Sequence, residues 1–166
     1  MAETFKTRLR RWSINLFPAY WSTGARVIYL ADDWREARVK LPLSWRTRNL
    51  FGTIFGGSMY AAVDPIYAVM LVRLLGPRYS VWDKAAAIRF RKPGRGALYA
   101  HFNLRDEDLD ALRAEVEQRG AIERVYQVEL TDDHGVVHAT IEKTIHIRAK
   151  RPASEPSSAP PAEQRA

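Results

Sequence analysis

Between Arg48 and Arg73 this 166-residue chain carries one charged side chain, Asp64. An isolated carboxylate in apolar surroundings is expensive, so it must be paired, hydrogen-bonded, protonated or turned toward a cavity. Two readings stay open. Asp64 is either a structural ion pair with an arginine, or a general base or nucleophile whose acidity is set by a pocket. Pro65 follows it; with no N–H to give, it should kink a helix beside the carboxylate. Upstream lies Asn49-Leu50-Phe51-Gly52-Thr53-Ile54-Phe55-Gly56-Gly57. A glycine-containing loop entering a helix leaves backbone N–H groups at the positive end of the helix dipole. Such donors suit a phosphate, a carboxylate or the oxyanion of an acyl transfer. The competing reading is that Gly56 and Gly57 only permit close packing.

Other chemistries fit poorly. No Gly-Lys-Ser/Thr follows the glycines, as a nucleotide phosphate loop requires. The glycine spacing and the lack of strand–helix alternation disfavour a dinucleotide fold. Ser58 lacks the closing glycine of a nucleophile elbow. The four histidines, His101, His134, His138 and His146, show no metal-binding spacing, so no metal is expected. With no cysteine, a disulfide scaffold, a cysteine-ligated metal and a thiol nucleophile are all excluded.

The elements that must position these residues are legible from periodicity. Gly24–Asp32 and Glu36–Leu43 alternate as a pair of strands around an Asp32–Arg35 turn. Ser44–Phe51 is a loop, and Phe55–Leu75 is a long apolar helix interrupted by Asp64 and Pro65; charge and proline make it a buried helix rather than a membrane span. Trp82–Lys92 is a strand ending at Pro93-Gly94-Arg95-Gly96. Leu98, Ala100, Phe102 and Leu104 form the inward face of the next strand. Asp106–Arg119 is a short helix with acids in its first turn and Gly120 as its stop. Ile122–Thr131 and Val136–Arg148 form a hairpin, and along the last strand Val137, Ala139, Ile141, Ile145 and Ile147 share a face that Lys143 interrupts. The strands are antiparallel and need cover on one face. Only the Gly56 helix is apolar all round, which points to an α+β fold: a curved antiparallel sheet wrapped around a central buried helix.

Residues 1–19 form an N-terminal segment in which Phe5, Leu9, Trp12 and Leu16 recur at helical spacing among arginines. A helix packed over the edge of its own domain is preferred to one lying on a membrane. Residues 20–148 form the main domain. Residues 149–166 hold four prolines among Ser, Ala and Glu and read as a disordered tail. The formal charge of +7 is uneven, with +6 in residues 1–48, +6 in residues 73–99 and −5 in residues 100–148. A basic surface of this kind favours an anionic partner. No secretory signal is visible, and a cysteine-free chain fits a cytoplasmic location.

Asn49-x-x-Gly52-Thr53-x-x-Gly56-Gly57 followed by Asp64 resembles the signature of hotdog-fold acyl-CoA thioesterases, nearest to the phenylacetate-degradation type and a related group of unknown function. The resemblance covers roughly residues 20–148 in pattern, and its diagnostic part is Asn49–Pro65. It implies a hotdog fold and thioester hydrolysis in which amides of Gly56 or Gly57 polarise the carbonyl, Asp64 activates water or attacks directly, and Asn49 orients water or substrate. Thr53 and Phe55 fall in the substrate-binding stretch; many relatives carry His where this chain has Phe55. No cofactor is implied, coenzyme A being part of the substrate.

Eight residues of helix span about 12 Å. A carbonyl held at Gly56 therefore lies out of reach of Asp64 on the same helix, and the carboxylate must come from a second subunit. This predicts a two-fold dimer with composite sites, in line with the family's dimers and tetramers. Coenzyme A and acyl carrier protein are both anionic, and Arg89, Arg91, Lys92 and Arg95 could meet either, or form a solvated strand face. The alternative function is a non-catalytic acyl-CoA or acyl-carrier binder of the same fold. Nucleic acid or a membrane surface as partner is the least favoured reading.

Overall fold

The computed structural model describes residues 4–150; the proposed tail beyond residue 150 lies outside the described residues. The chain runs α1 (Phe5–Leu16), α2 (Pro18–Ser22), β1 (Arg26–Leu30), β2 (Glu36–Leu41), α3 (Gly56–Val63), α4 (Ile66–Leu75), β3 (Tyr79–Phe90), β4 (Leu98–Asn103), α5 (Asp106–Arg119), β5 (Ala121–Thr131) and β6 (Val137–Ala149). Among the described residues six strands form one antiparallel sheet in the order β1-β2-β4-β5-β6-β3, curved around the helical pair α3 and α4.

In β2, β4 and β6 the alternating residues that mark the strand are the ones buried. Val39 and Leu41 of β2, Leu98, Ala100 and Phe102 of β4, and Ala139, Ile141, Ile145 and Ile147 of β6 all face the core. The helices meet them with Met59, Ala62, Val63, Ile66, Tyr67, Met70 and Leu71. The stretch Gly56–Leu75 is long and apolar enough to cross a membrane by composition, but half of it is buried under the sheet. It is broken rather than merely bent. Asp64 accepts the role of C-cap to α3, and Pro65 precedes the first turn of α4. A proline amide has no hydrogen to return to the preceding turn, so the helix restarts there.

Two termini differ from the sequence reading. Pro18 ends α1 and also opens α2 as its first residue, where the missing N–H costs nothing, so the N-terminal helical segment reaches Ser22. At the other end, Ala149 and Lys150 are tied down rather than loose: their amides donate to the carbonyls of Gly120 (3.1 Å) and Arg78 (2.8 Å).

The two edges of the sheet are unlike. Along β1, the Asn15 amide group donates to the carbonyl of Val27 (2.9 Å) and accepts from its N–H (2.7 Å), taking the place of a neighbouring strand. Among the described residues β3 pairs only with β6, with Lys84 passed over at an irregularity, and Ala85, Ala86, Ala87, Arg89 and Phe90 are exposed. Such an open edge is a template for another chain.

Candidate functional site

Asn49 builds the loop that leads into α3. Its side-chain oxygen accepts from the amides of Phe51 (3.0 Å) and Thr53 (3.1 Å), its amide nitrogen donates to the Thr53 hydroxyl (2.9 Å), and Gly52 takes a positive φ of 78° to close the turn. The Asn49 side chain thus shapes the loop, where the resemblance implied that it orients water or substrate. Loop and helix are then pinned to the rest of the fold by Ile54 N–H to the Gly94 carbonyl (2.8 Å) and Phe55 N–H to the Thr47 carbonyl (2.7 Å).

The result is a helix start whose N-cap, Phe55, has no side-chain oxygen to offer, leaving the first N–H groups of α3 without a cap. Asn49, Thr53, Gly56, Phe90, Arg91 and Lys92 line a cavity of about 410 Å³ there, joined by Ile54, Met59 and Pro93. Of the predicted residues Asn49, Thr53, Gly56, Arg91 and Lys92 therefore converge, while Gly57, Asp64, Phe55, Arg89 and Arg95 lie outside the lining. Arg95 lies on a separate cavity with Asp132 and His138. Arg89 is exposed on β3 outside the lining. Phe55 folds its ring over Gly57.

Both glycines also have a packing reason to be glycine. A Cβ on Gly56 would sit 2.8 Å from Cζ of Phe90, and one on Gly57 would strike the Phe55 ring. The close-packing reading and the amide-donor reading are compatible here, because the two aromatic rings approach the glycines at the same uncapped helix start.

At the far end of α3 the carboxylate of Asp64 meets a lysine, where the sequence suggested an arginine. Lys143 is 1% exposed on the inner face of β6, and its ammonium donates to Asp64 Oδ1 (2.6 Å) and to the Asp64 backbone carbonyl (2.9 Å). Asp83 of β3 completes the cluster, its Oδ1 3.1 Å from Nζ as an ion pair off the line of a hydrogen bond. The Tyr60 hydroxyl lies 3.5 Å from Nζ. Burial alone would lower the basicity of Lys143, but the hydrogen bond to Asp64 and the ion pair with Asp83 outweigh it and raise its pKa. Burial raises Asp83, with Lys143 opposing, and burial followed by the hydrogen bond to Asp64 raises Tyr60.

The pairing does not bury Asp64. Its side chain remains 41% exposed beside the break in the helix. A carboxylate held on one side by an ammonium and open on the other can accept a proton from water or engage an electrophile. Neither Lys143 nor Asp83 was among the candidates read from the sequence. The interruption of an apolar strand face by Lys143 was their one visible signal.

His138 serves the scaffold. Its ring nitrogens lie 3.1 Å from the Pro93 carbonyl and 3.2 Å from Asp132 Oδ2, clamping the Pro93–Gly96 turn to the β5–β6 hairpin. Hydrogen bonds to the last strand also fix the other mouth residues: the amides of Arg91 (2.8 Å) and Lys92 (3.2 Å) both donate to the His138 carbonyl.

This architecture has solved counterparts. A protein of unknown function from Pseudomonas aeruginosa, described as a probable thioesterase, superposes with a TM-score of 0.77 at 23% identity, covering 87% of this chain and 96% of its own. A thioesterase from Haemophilus influenzae superposes with a TM-score of 0.64 at 14% identity, covering 93% and 97%. A mutant thioesterase, also from Pseudomonas aeruginosa, gives 0.64 at 14% identity over 90% and 97%. These likenesses establish the hotdog fold. No curated protein matches the sequence. The model of a family described as a domain of unknown function, DUF4442, matches residues 6–147, and the chain belongs to that family.

Proposed function

We propose that the protein is an acyl-CoA thioesterase acting as a homo-oligomer, with Asp64 as base or nucleophile and the amides of Gly56 and Gly57 as oxyanion donors. The observation that carries this reading is a carboxylate fixed by a buried ammonium yet open to solvent, on the same helix whose uncapped start faces a cavity flanked by Arg91 and Lys92. The basic pair suits the phosphates of coenzyme A or the acidic surface of an acyl carrier protein.

The eight residues of α3 keep its own Asp64 about 12 Å from its own Gly56. The open edge of β3 supplies the remedy. Asp83, the fifth residue of β3, shares Lys143 with Asp64, and Phe90, the last residue of β3, sits beside Gly56. Antiparallel pairing of two copies about a two-fold axis between Ala86 and Ala87 sets Asp83 of one copy opposite Phe90 of the other. Each helix start then receives the carboxylate of the second copy, giving two composite sites.

In the general-base form, Asp64 takes a proton from water as the water oxygen bonds to the thioester carbon. The carbonyl oxygen gains negative charge against the glycine amides, then the C–S bond breaks, and the departing thiolate takes up a proton. A carboxylic acid and free coenzyme A result, with no bound metal or organic cofactor. The test is thiol release from a panel of acyl-CoAs: steady turnover by the wild type that disappears in Asp64→Asn supports the assignment, and turnover retained by the variant refutes it.

A second reading is favoured by the rings of Phe55 and Phe90 standing over the two glycines. If they keep a carbonyl from the amides, the protein is an acyl-CoA or acyl-carrier binder without turnover. Tight binding of acyl-CoA with no thiol released marks that case.

A further inference from the structure

Helix α1 is amphipathic, yet it docks by its polar side. Thr7 is buried, Ile14 packs on the core, and Arg11 and Asn15 hydrogen-bond the Val27 carbonyl of β1. The opposite side carries the apolar stripe, with Phe5 73%, Leu9 63%, Trp12 54% and Leu16 64% exposed. At about 100° per residue these four side chains fall within an arc of about 60° along a rod about 18 Å long. Phe17 and Trp21 extend the exposed apolar surface into α2. The helix thus lies over the edge of its own domain, as the sequence suggested, while presenting outward the face that ought to be covered.

Exposed apolar patches of this kind mark interaction sites. What surrounds the stripe identifies the partner. Lys6 and Arg8 flank it on α1, and α1 has no acidic residue in its first turn. Between α1 and β1 runs a groove of about 480 Å³ lined by Arg11, Arg26 and Arg46 together with Trp12, Trp21 and Ile28. Arg46 stacks on the Trp21 ring at 4.4 Å, an amphipathic pair of the sort that sits at a water–lipid boundary. A second copy docked here would oppose like charges around the rim, which costs specificity and affinity. A nucleic acid would leave the aliphatic part of the stripe, Leu9 and Leu16, in water. An anionic bilayer satisfies both features, the stripe entering the acyl boundary and the cations meeting headgroups.

We infer that α1 and α2 form a docking element for anionic lipid surfaces, lying in the plane of the membrane with Phe5, Leu9, Trp12 and Leu16 inserted. This inference is independent of the thioesterase reading, since the stripe contributes nothing to the Gly56 cavity or to the Asp64 cluster.

The test is co-sedimentation of the full chain with vesicles of phosphatidylcholine alone and of phosphatidylcholine with phosphatidylglycerol. Binding to the anionic vesicles should exceed binding to neutral ones by at least about tenfold and weaken with salt. Leu9→Glu/Trp12→Glu, both at exposed positions, should abolish it while leaving the thermal midpoint and any acyl-CoA turnover in solution unchanged. Lys6→Gln/Arg8→Gln should reduce the preference for anionic vesicles. Absence of vesicle binding by the wild type overturns the inference. So does equal binding by Leu9→Glu/Trp12→Glu, or a wild-type oligomer that this variant splits with no vesicle binding by either. RNA binding that survives the double glutamate substitution, with vesicles ignored, overturns it as well.

Discussion

The ammonium of Lys143 bonds both the carboxylate and the backbone carbonyl of Asp64, at 2.6 Å and 2.9 Å. One buried cation therefore fixes the side chain and satisfies an orphan carbonyl at the break between α3 and α4. This joins the chemistry of the site to the integrity of the central helix, and it separates the effects expected from changing either partner.

Asp64→Asn keeps a polar group of the same size at the helix break, so the fold and the oligomer should persist. Loss of a general base typically lowers rates by about 100- to 10,000-fold. Thiol release from acyl-CoA should fall into that range with the far-ultraviolet circular dichroism spectrum unchanged.

Lys143→Met replaces the ammonium with an apolar chain of similar reach. Removing one partner of a fully buried ion pair costs about 3–5 kcal/mol. Here Asp64 is 41% and Asp83 26% exposed, so water recovers much of their solvation, and the expected loss is nearer about 1–3 kcal/mol. Urea unfolding reads it. A double-mutant cycle with Asp64→Asn should show strong coupling, and additive effects would mean the bridge contributes nothing.

Ala87→Lys places a cation in the middle of the exposed β3 edge, where two copies would bring like charges together. Sedimentation velocity should show a wild-type oligomer and a monomeric variant. If the sites are composite, turnover per chain should fall with the oligomer; a fully active monomer contradicts the shared site.

Alkaline stability follows from buried phenols. Burial raises the pKa of Tyr20 and Tyr67, and pushes Tyr126 up to about 12. The unfolded chain ionises its tyrosines near the ordinary value of about 10, so these groups support the fold fully below that pH and progressively less above it. Lys143, also raised, acts in the same direction, its ion pairs being lost as it deprotonates. The unfolding midpoint in denaturant should hold to about pH 10 and drop between there and pH 12. A flat profile across that window would falsify the burial of these side chains.

Much of this architecture is written in local pattern. Alternation in Leu98, Ala100 and Phe102 and in Ala139, Ile141, Ile145 and Ile147 identifies inward faces because a strand places every second side chain on one side. Pro65 identifies the helix break because the missing N–H acts locally. Lys143 and Asp83 were opaque for the opposite reason. Their meeting with Asp64 depends on the pairing of β3 with β6 and on how the helix crosses them, contacts that span many residues of sequence. The orientation of α1 was equally hidden, since the apolar stripe of a helix normally turns inward and here the hydrogen bonds of Asn15 to β1 turn it outward.

Those same two Asn15 bonds limit how far the sheet can spread. If copies join along β3, each joined pair presents only β1 strands at its outer margins, and both are already plugged at Val27 by an internal amide. Strand-by-strand accretion has nowhere to continue, so association ends at a finite pair and a ribbon or fibre is forestalled. A small side chain, far from any chemistry, would thereby keep an assembling β-protein soluble.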